Sequence, residues 1–381
     1  MKRALITASV ASMIDQFNMP NIRLLLELGY EVDAAANFTD PGSITAERAE
    51  ALKVCLTDMG VTVTDLPIPR RITALGGIIK SYRVMKRLSR DRKYDLVHCH
   101  SPIGGAIARL AVRRERKKGI TKSIYTAHGF HFYRGAPKKS WLLFYPIEKL
   151  CSRFTDVLIT INREDYALAK DKLRAGRVEY IPGVGVDTDR FFQPDVREEK
   201  RRELGISKDA ALLLSVGELN ANKNHAVIIR ALAQLERADV HYAIAGRGAL
   251  GEELSALCRK MGVEDRVHLL GYRDDVAQIY SAADVFVHPS YREGLPVSVM
   301  EAMAAGLPIA ASRIRGNTDL VDTEGGFLLE PADTDGFARA IDGLLKDREL
   351  MKKMGEHNRL ASSKYSVSTV KELTEKIYKE I

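Results

Sequence analysis

The sequence predicts an α/β protein made of two doubly wound halves, and three observations predict it. Short apolar runs alternate with helical patterns, as a parallel sheet with crossover helices requires. The alternation runs from Ala4 to Ile181 and starts afresh at Ala211. Between the two lies a loop rich in Pro and Gly, P-G-V-G-V-D-T-D-R-F-F from Pro182, and then the very polar Pro194 to Glu203, a composition suited to a hinge. At 381 residues, each half is long enough to bury its own core. The expected domains are 1–195 and 196–365.

In the first half, Ala4 to Ala8 reads as a strand and Phe17 to Leu28 as a helix with Ile22, Leu25, Leu26 and Leu28 facing in, closed by Gly29. Tyr30 to Ala36 is the next strand. Asp95 to Cys99 is a strand ending in H-C-H-S-P, and Gly104 to Lys118 a helix with five cations in its last turns, where they oppose the dipole. Lys122 to Ala127 is a strand delivering T-A-H-G-F-H-F; Asp156 to Ile161, Arg163 to Leu173 and Val178 to Ile181 follow as strand, helix and strand. In the second half, Ala211 to Val216, Val240 to Ala245, Arg266 to Leu270, Asp284 to His288, Pro308 to Ala311 and Gly325 to Leu329 are strands. Helices are expected over Asn224 to Leu235, Asp274 to Ser281, from Pro296 as first helical residue to Gly306, over Thr334 to Lys346 with Asp333 as N-cap, Asp347 to Ser362 and Ser368 to Ile381.

The charge is uneven. Of 58 Lys+Arg and 50 Asp+Glu, residues 1–190 hold 32 and 20 and residues 191–381 hold 26 and 30, so the halves carry +12 and −4 of the net +8. Lys80, Arg83, Lys86, Arg87 and Arg90 fall near one helix face beside Leu75, Ile78, Ile79 and Tyr82. That face suits an anionic membrane surface; no recognition motif accompanies it, which argues against nucleic acid. Four Cys far apart form no C-x-x-C pair, so neither a disulfide framework nor a zinc site is indicated and a reducing cytoplasm fits. The apolar N-terminus is cut short by Asp15 and Gln16, unlike a signal peptide, and no run is long enough to span a bilayer. Any membrane contact is therefore expected to be peripheral, on the inner face.

The chain is organised around Ser290 to Gly306, S-Y-R-E-G-L-P-V-S-V-M-E-A-M-A-A-G. A helix start at the carboxyl end of a parallel strand offers unpaired N–H groups and the positive end of a dipole to a phosphate. Glu293 lies just before that start and Glu301 more than a turn inside, so a carboxylate on each side can hold the two sugars that a diphosphate links. Without such a ligand, they are a loop acid and a solvated helix acid.

This stretch resembles the E-x7-E segment of family 4 glycosyltransferases, retaining enzymes of the GT-B fold, whose two Rossmann-like domains face each other across a cleft. The resemblance implies that Glu293 faces the donor sugar and Glu301 takes the ribose hydroxyls of a nucleotide sugar. It extends to His128 in T-A-H-G, implied to reach the donor sugar, and to Lys223, implied on the diphosphate; Gly217, Gly246, Gly294 and Leu295 are implied around the donor. Relatives return their last helix, here 366–381, to the first domain. Their G-V-D-x-x-x-F matches the loop after Pro182. This chain departs from the pattern in two places. The first strand leads into A-S-V-A-S-M-I-D rather than a Gly-Gly loop, so no phosphate role is assigned there, and Glu218 stands where relatives have Arg. Arg247 or Arg273 is expected to compensate the missing cation. Lys223 is expected to face the Pro296 helix across the gap between domains.

Other motifs compete. G-R-G-A-L-G at 246–251 is literally G-x-G-x-x-G, but it follows the second strand of its half and no acid ends the next strand, which argues against an NAD site. Its glycines suit a close approach to a nucleotide instead. Asp-Thr-Asp at 187–189 and 333–335 is taken as a turn and a helix cap, and the four His from 98 to 131 lack ligand spacing, so no metal and no other cofactor is expected. The resemblance implies transfer of a sugar, with retention, from a nucleotide sugar such as a UDP-sugar to a lipid-linked saccharide in exopolysaccharide or capsule assembly. A nucleotide-sugar 2-epimerase, a basic nucleic-acid binder and an inactive sugar-binding relative remain as alternatives.

Overall fold

The computed structural model describes residues 1–381 and resolves the chain into two parallel-sheet units. The first contains β1 (Arg3–Val10), β2 (Glu31–Asn37), β3 (Thr62–Asp65), β4 (Leu96–His100), β5 (Lys122–Ala127), β6 (Val157–Thr160) and β7 (Arg177–Tyr180). They are ordered β3-β2-β1-β4-β5-β6-β7, every pair parallel, with Ile6 beside His98 and Ala34. Adjacent residues of these strands bury into opposite layers: Ile6, Ala34 and Leu96 pack on one face, Leu5, Ala35 and Val97 on the other. Both faces are covered by helices, which is why the strands read as continuous apolar runs.

The second unit contains β8 (Ala211–Val216), β9 (Val240–Ala245), β10 (Val267–Gly271), β11 (Val285–His288), β12 (Ile309–Ser312) and β13 (Gly326–Leu329). Their order is β10-β9-β8-β11-β12-β13, again all parallel. Each sheet is doubly wound, with its order reversing at β1/β4 and at β8/β11.

The first unit ends at Pro182 and resumes with Val370–Ile381; the second is Gly183–Thr369. The linker therefore belongs to the second unit from Gly183 onward, earlier than the expected boundary at 195. The reason is packing: Gly183 lies against Leu295 and Met300, Val186 pairs with Ser366, and Phe191 meets the Tyr280 ring edge-on at 5.5 Å. The final helix, Val367–Glu380, places Ile377 and Tyr378 in the layer that holds Ile6.

The helix expected over 17–28 is found as Met19–Glu27, and a second helix not expected, Ala11–Phe17, precedes it. Buried Asn18 separates them: its side-chain amide donates to the Met13 carbonyl, and Pro20 sits in the first turn of the second helix. A side chain that bonds its own backbone competes with the helix ladder. No loop separates β1 from the first helix, so A-S-V-A-S-M-I-D is strand end and helix start.

Candidate functional site

Where neighbouring strands send their crossovers to opposite faces, a crevice opens past their carboxyl ends. At the β8/β11 reversal, the loops entering it are 217–224 and 289–296. The first is held by small polar clasps. Asn220 Oδ1 accepts from the Lys223 N–H at 3.0 Å; Asn224, at φ +53°, donates its side-chain amide to the carbonyls of Pro289 and Pro331. Asn222 donates to the Arg292 carbonyl at 2.9 Å and accepts from the Tyr291 N–H at 2.8 Å. The two loops are thus tied together by backbone and amide bonds, and a side chain from each is fixed in place.

Those side chains are Lys223 and Glu293. Lys223 Nζ donates to Glu293 Oε1 at 2.7 Å, with both side chains largely buried. The lysine stem runs over Gly217, where a Cβ would come within 3.2 Å of Lys223 Cε. Lys223 thus meets Glu293 inside the second unit, not across a gap between domains as the sequence reading had it. His288, at the end of β11, contacts Ser290 Oγ at 3.2 Å and Glu293 Oε1 at 3.4 Å through Nε2. Burial pushes a carboxyl up, but the His288 hydrogen bond and the Lys223 charge outweigh it and hold Glu293 well below the usual carboxylate range. Burial lowers His288, so it is a neutral ring that donates from Nε2. Nothing in the sequence distinguishes His288 from a core histidine.

The helix after these loops spans Val297–Ala304, and Pro296 is its N-cap, not its first residue. Its opening N–H groups have no intrahelical acceptor, as at any helix start. Leu295 turns its side chain inward, so only its backbone and that of Gly294 can face a ligand. Gly316 packs so closely on this loop that a Cβ would lie 2.5 Å from the Gly294 carbonyl, and Arg315 Nε donates to the Glu293 carbonyl at 3.1 Å. Glu301, one turn on, accepts from Tyr280 Oη at 2.9 Å. Burial raises Glu301 above its ordinary value, against the Tyr280 bond and the Arg190 charge.

The glycines of G-R-G-A-L-G serve backbone contact. A Cβ on Gly246 would stand 1.9 Å from the Gly217 carbonyl oxygen, and one on Gly248 2.4 Å from that of Leu219. Leu219 and Arg247 share a backbone hydrogen bond, as do Gly246 and Gly271. The motif therefore packs three strand ends together, and the close approach of Gly246 is to Gly217, not to open space. Arg273 is committed elsewhere: its guanidinium bonds Asp275 and Glu203, which also hold Lys200. It is not brought to the Lys223–Glu293 pair. Arg247 lies over the Tyr272 ring at 5.9 Å. Asp187 and Asp333 each cap a short turn or helix, accepting from the N–H groups of Arg190 and Gly336.

In the first unit, His128 follows β5 and contacts His100 through Nε2 to Nδ1 at 3.1 Å. The His100 ring lies against that of His98 at 4.3 Å, tilted by 38°, and the His98 ring nitrogens reach Tyr378 Oη at 2.7 Å and Thr126 Oγ1 at 2.8 Å. Burial lowers all three histidines, His128 to about 4 and His98 to about 3. His128 is a neutral ring whose Nε2 is already engaged, leaving Nδ1 for another partner. The return helix thus reaches His98 directly through Tyr378, a link without a sequence signal.

Two doubly wound parallel-sheet units, each with a switch-point crevice, place the chain among the Rossmann-like two-domain folds. Residues 196–361 match the family described as glycosyl transferases group 1, and residues 19–183 match the glycosyl transferase 4-like domain. The chain is similar to the putative glycosyltransferase EpsD of Bacillus subtilis, 37% identical over 98% of this chain and 96% of that protein. It is 32% identical, over 73% of this chain and 72% of the other, to the Escherichia coli UDP-Gal:alpha-D-GlcNAc-diphosphoundecaprenol alpha-1,3-galactosyltransferase. Among solved structures, Anabaena Alr3699/HepE in complex with UDP aligns over the whole of both chains with a TM-score of 0.80 at 20% identity, which establishes the GT-B fold. The chain belongs to the glycosyl transferase group 1 family and is a glycosyltransferase.

Proposed function

We propose that the protein transfers a sugar, with retention at the anomeric carbon, from a UDP-sugar to a lipid-linked saccharide in exopolysaccharide or capsule assembly. The observation that carries the reading is the Lys223–Glu293 contact beside the start of the Val297–Ala304 helix. Breaking a sugar–phosphate bond develops negative charge on the diphosphate and positive charge on the sugar ring. A fixed cation and helix N–H groups answer the first, and a carboxylate held ionised answers the second. In this reading Glu293 faces the donor sugar, Lys223 and the backbone at Gly294 and Leu295 face the diphosphate, and Glu301 takes the ribose hydroxyls. His128 is the first unit's candidate for a sugar hydroxyl, through the Nδ1 that its contact with His100 leaves free. The activity named for the galactosyltransferase relative supports a UDP-linked donor and a diphospholipid acceptor. Lys80, Arg83 and Lys86 of the Leu75–Arg92 helix, which pair with no acid, support a peripheral seat on an anionic membrane; Arg87 and Arg90 are paired with Asp91 and Arg92 with Glu31 and Asp33. No helix is long and apolar enough to cross a membrane. The relatives named as transferases give the epimerase alternative no support.

The test is a panel of nucleotide sugars with undecaprenyl-diphosphate-linked saccharides. Transfer by the native protein with loss in Glu293→Gln is expected. Release of an epimerised nucleotide sugar without acceptor use overturns the proposal.

A further inference from the structure

The first unit holds a cavity of about 180 Å³ that the donor site does not use. Its wall is apolar, built from Ile78, Ile103, Ala106, Leu110, Phe130 and Phe144. Glu148 borders it but is committed to the buried Arg109, whose guanidinium donates to both carboxylate oxygens, at 2.5 and 3.1 Å. The cavity begins at Gly129, one residue past His128, and runs among the helices Leu75–Arg92, Pro102–Lys117 and Lys138–Ser152.

The surface around these helices is unusual in the same direction. Six of the protein's exposed large apolar side chains, Leu75, Ile79, Leu142, Leu143, Ile147 and Leu150, are on two of them, and Leu142 is 78% exposed. Ile147 belongs both to this surface and to the cavity wall. Each apolar stripe continues into a cation at helical spacing: Arg83 lies four residues past Ile79, and Lys139 four before Leu143. Arg83, Lys138 and Lys139 are exposed and pair with no acid. An apolar cavity with an apolar, cation-edged approach is complementary to a molecule with an aliphatic chain and an anionic head.

We propose that this cavity takes the aliphatic chain of a phosphate-headed acceptor lipid, with the cations of the framing helices facing its phosphate. The proposal rests on the lipid-linked acceptor given above. It adds where the chain is held, one residue from the loop that carries His128.

The full-length protein is titrated with monomeric alkyl phosphates from hexyl to dodecyl, without bilayer or donor. Trp141, the protein's one tryptophan, packs edge-on against the wall residue Phe132 at 5.6 Å and reports binding by fluorescence. Affinity is expected to rise roughly threefold to fourfold per methylene while the chain is being buried, then to level off. Ala106→Phe fills the cavity and brings the plateau to a shorter chain, with at least tenfold weaker dodecyl phosphate binding. Ile147→Glu, at the mouth, gives the same loss without changing interior volume, and unchanged circular dichroism shows both variants folded. Leu360→Glu, on an exposed apolar site of the second unit, leaves binding unaltered. Inorganic phosphate binding as tightly as dodecyl phosphate overturns the proposal, as does affinity that rises without a plateau and equally in both cavity variants. Transfer to a lipid-linked acceptor with an unchanged acceptor KM in Ala106→Phe overturns the cavity's role but leaves the transferase reading. Intact, length-dependent alkyl phosphate binding with no transfer to lipid-linked acceptors supports the cavity and overturns that acceptor reading.

Discussion

Glu293→Gln separates two effects that the Lys223 contact joins. Lys223 Nζ is 2.7 Å from Glu293 Oε1, so in the proposed reading a diphosphate competes with a carboxylate for the same ammonium. A hydrogen bond to a charged group contributes about 1.5–3 kcal/mol, and a neutral amide in place of the carboxylate keeps roughly half of it. The difference, about 1 kcal/mol, is returned to the diphosphate, which corresponds to UDP binding roughly fivefold tighter. Turnover is expected to move the other way, falling about 10²–10³-fold, because the charge that the proposal aims at the reacting sugar is lost. Calorimetric titration of UDP and initial rates with the same donor read the two effects separately, and Lys223→Met, which removes the contested cation, should weaken UDP binding. Stability gives a third readout. The carboxyl is held below its ordinary value of 4.5, so its contribution is present above that pH and lost as pH falls through the lower folded value. The melting-temperature gap between native protein and Glu293→Gln should therefore be wider at pH 6 than at pH 3. UDP affinity that drops or stays the same in Glu293→Gln refutes the competition.

Glu301→Ala should raise the donor KM with little change in kcat if, as proposed, Glu301 faces the ribose and not the bond that breaks; steady-state kinetics decide. Glu148→Ala leaves Arg109 buried without its carboxylate and should cost about 3–5 kcal/mol in chemical denaturation, more than an average substitution. His98, His100 and His128 are held neutral by burial, so their contribution is fully present above 6.5, the ordinary histidine value, and is lost as pH falls below it. Each adds up to about 1.4 kcal/mol per pH unit between 6.5 and its folded value. His98→Gln should reduce the slope of stability against pH by about one proton over pH 4.5–6.

Much of the fold was legible because buried parallel strands announce themselves. Lys122–Ala127, Ala211–Val216 and Val240–Ala245 coincide with the apolar runs that suggested them, and the Thr334–Lys346 helix begins at its Asp333 cap as expected. The edge strand Thr62–Asp65 was not legible, since T-V-T-D is half exposed and has neither a buried run nor a clean alternation. The break at Asn18 depends on one side-chain bond to Met13, which no periodicity reveals. In the crevice, the E-x7-E stretch does border a helix start, at Val297–Ala304, but the meeting of Lys223 with Glu293 is a product of topology. They are 70 residues apart and meet because β8 and β11 are neighbours. Arg273 looked available because sequence cannot show that Asp275 and Glu203 surround it.

The charges of the crevice then explain why its lysine is paired. Glu218, exposed on the loop after β8, replaces the arginine that relatives carry, and Arg273 is held by two carboxylates. Beside the loop at 293–296 stand the Lys223 ammonium, the Arg315 guanidinium on the Glu293 carbonyl, and a helix start equivalent to about half a positive charge. In the proposed reading the diphosphate draws on backbone N–H groups and on a lysine already in position. A free lysine would spread over many rotamers and lose up to about 2 kcal/mol of entropy on binding. Glu293, ionised and clasped by His288, holds Lys223 in one of them. The carboxylate that competes for the cation before the donor arrives is thus also the group that places it.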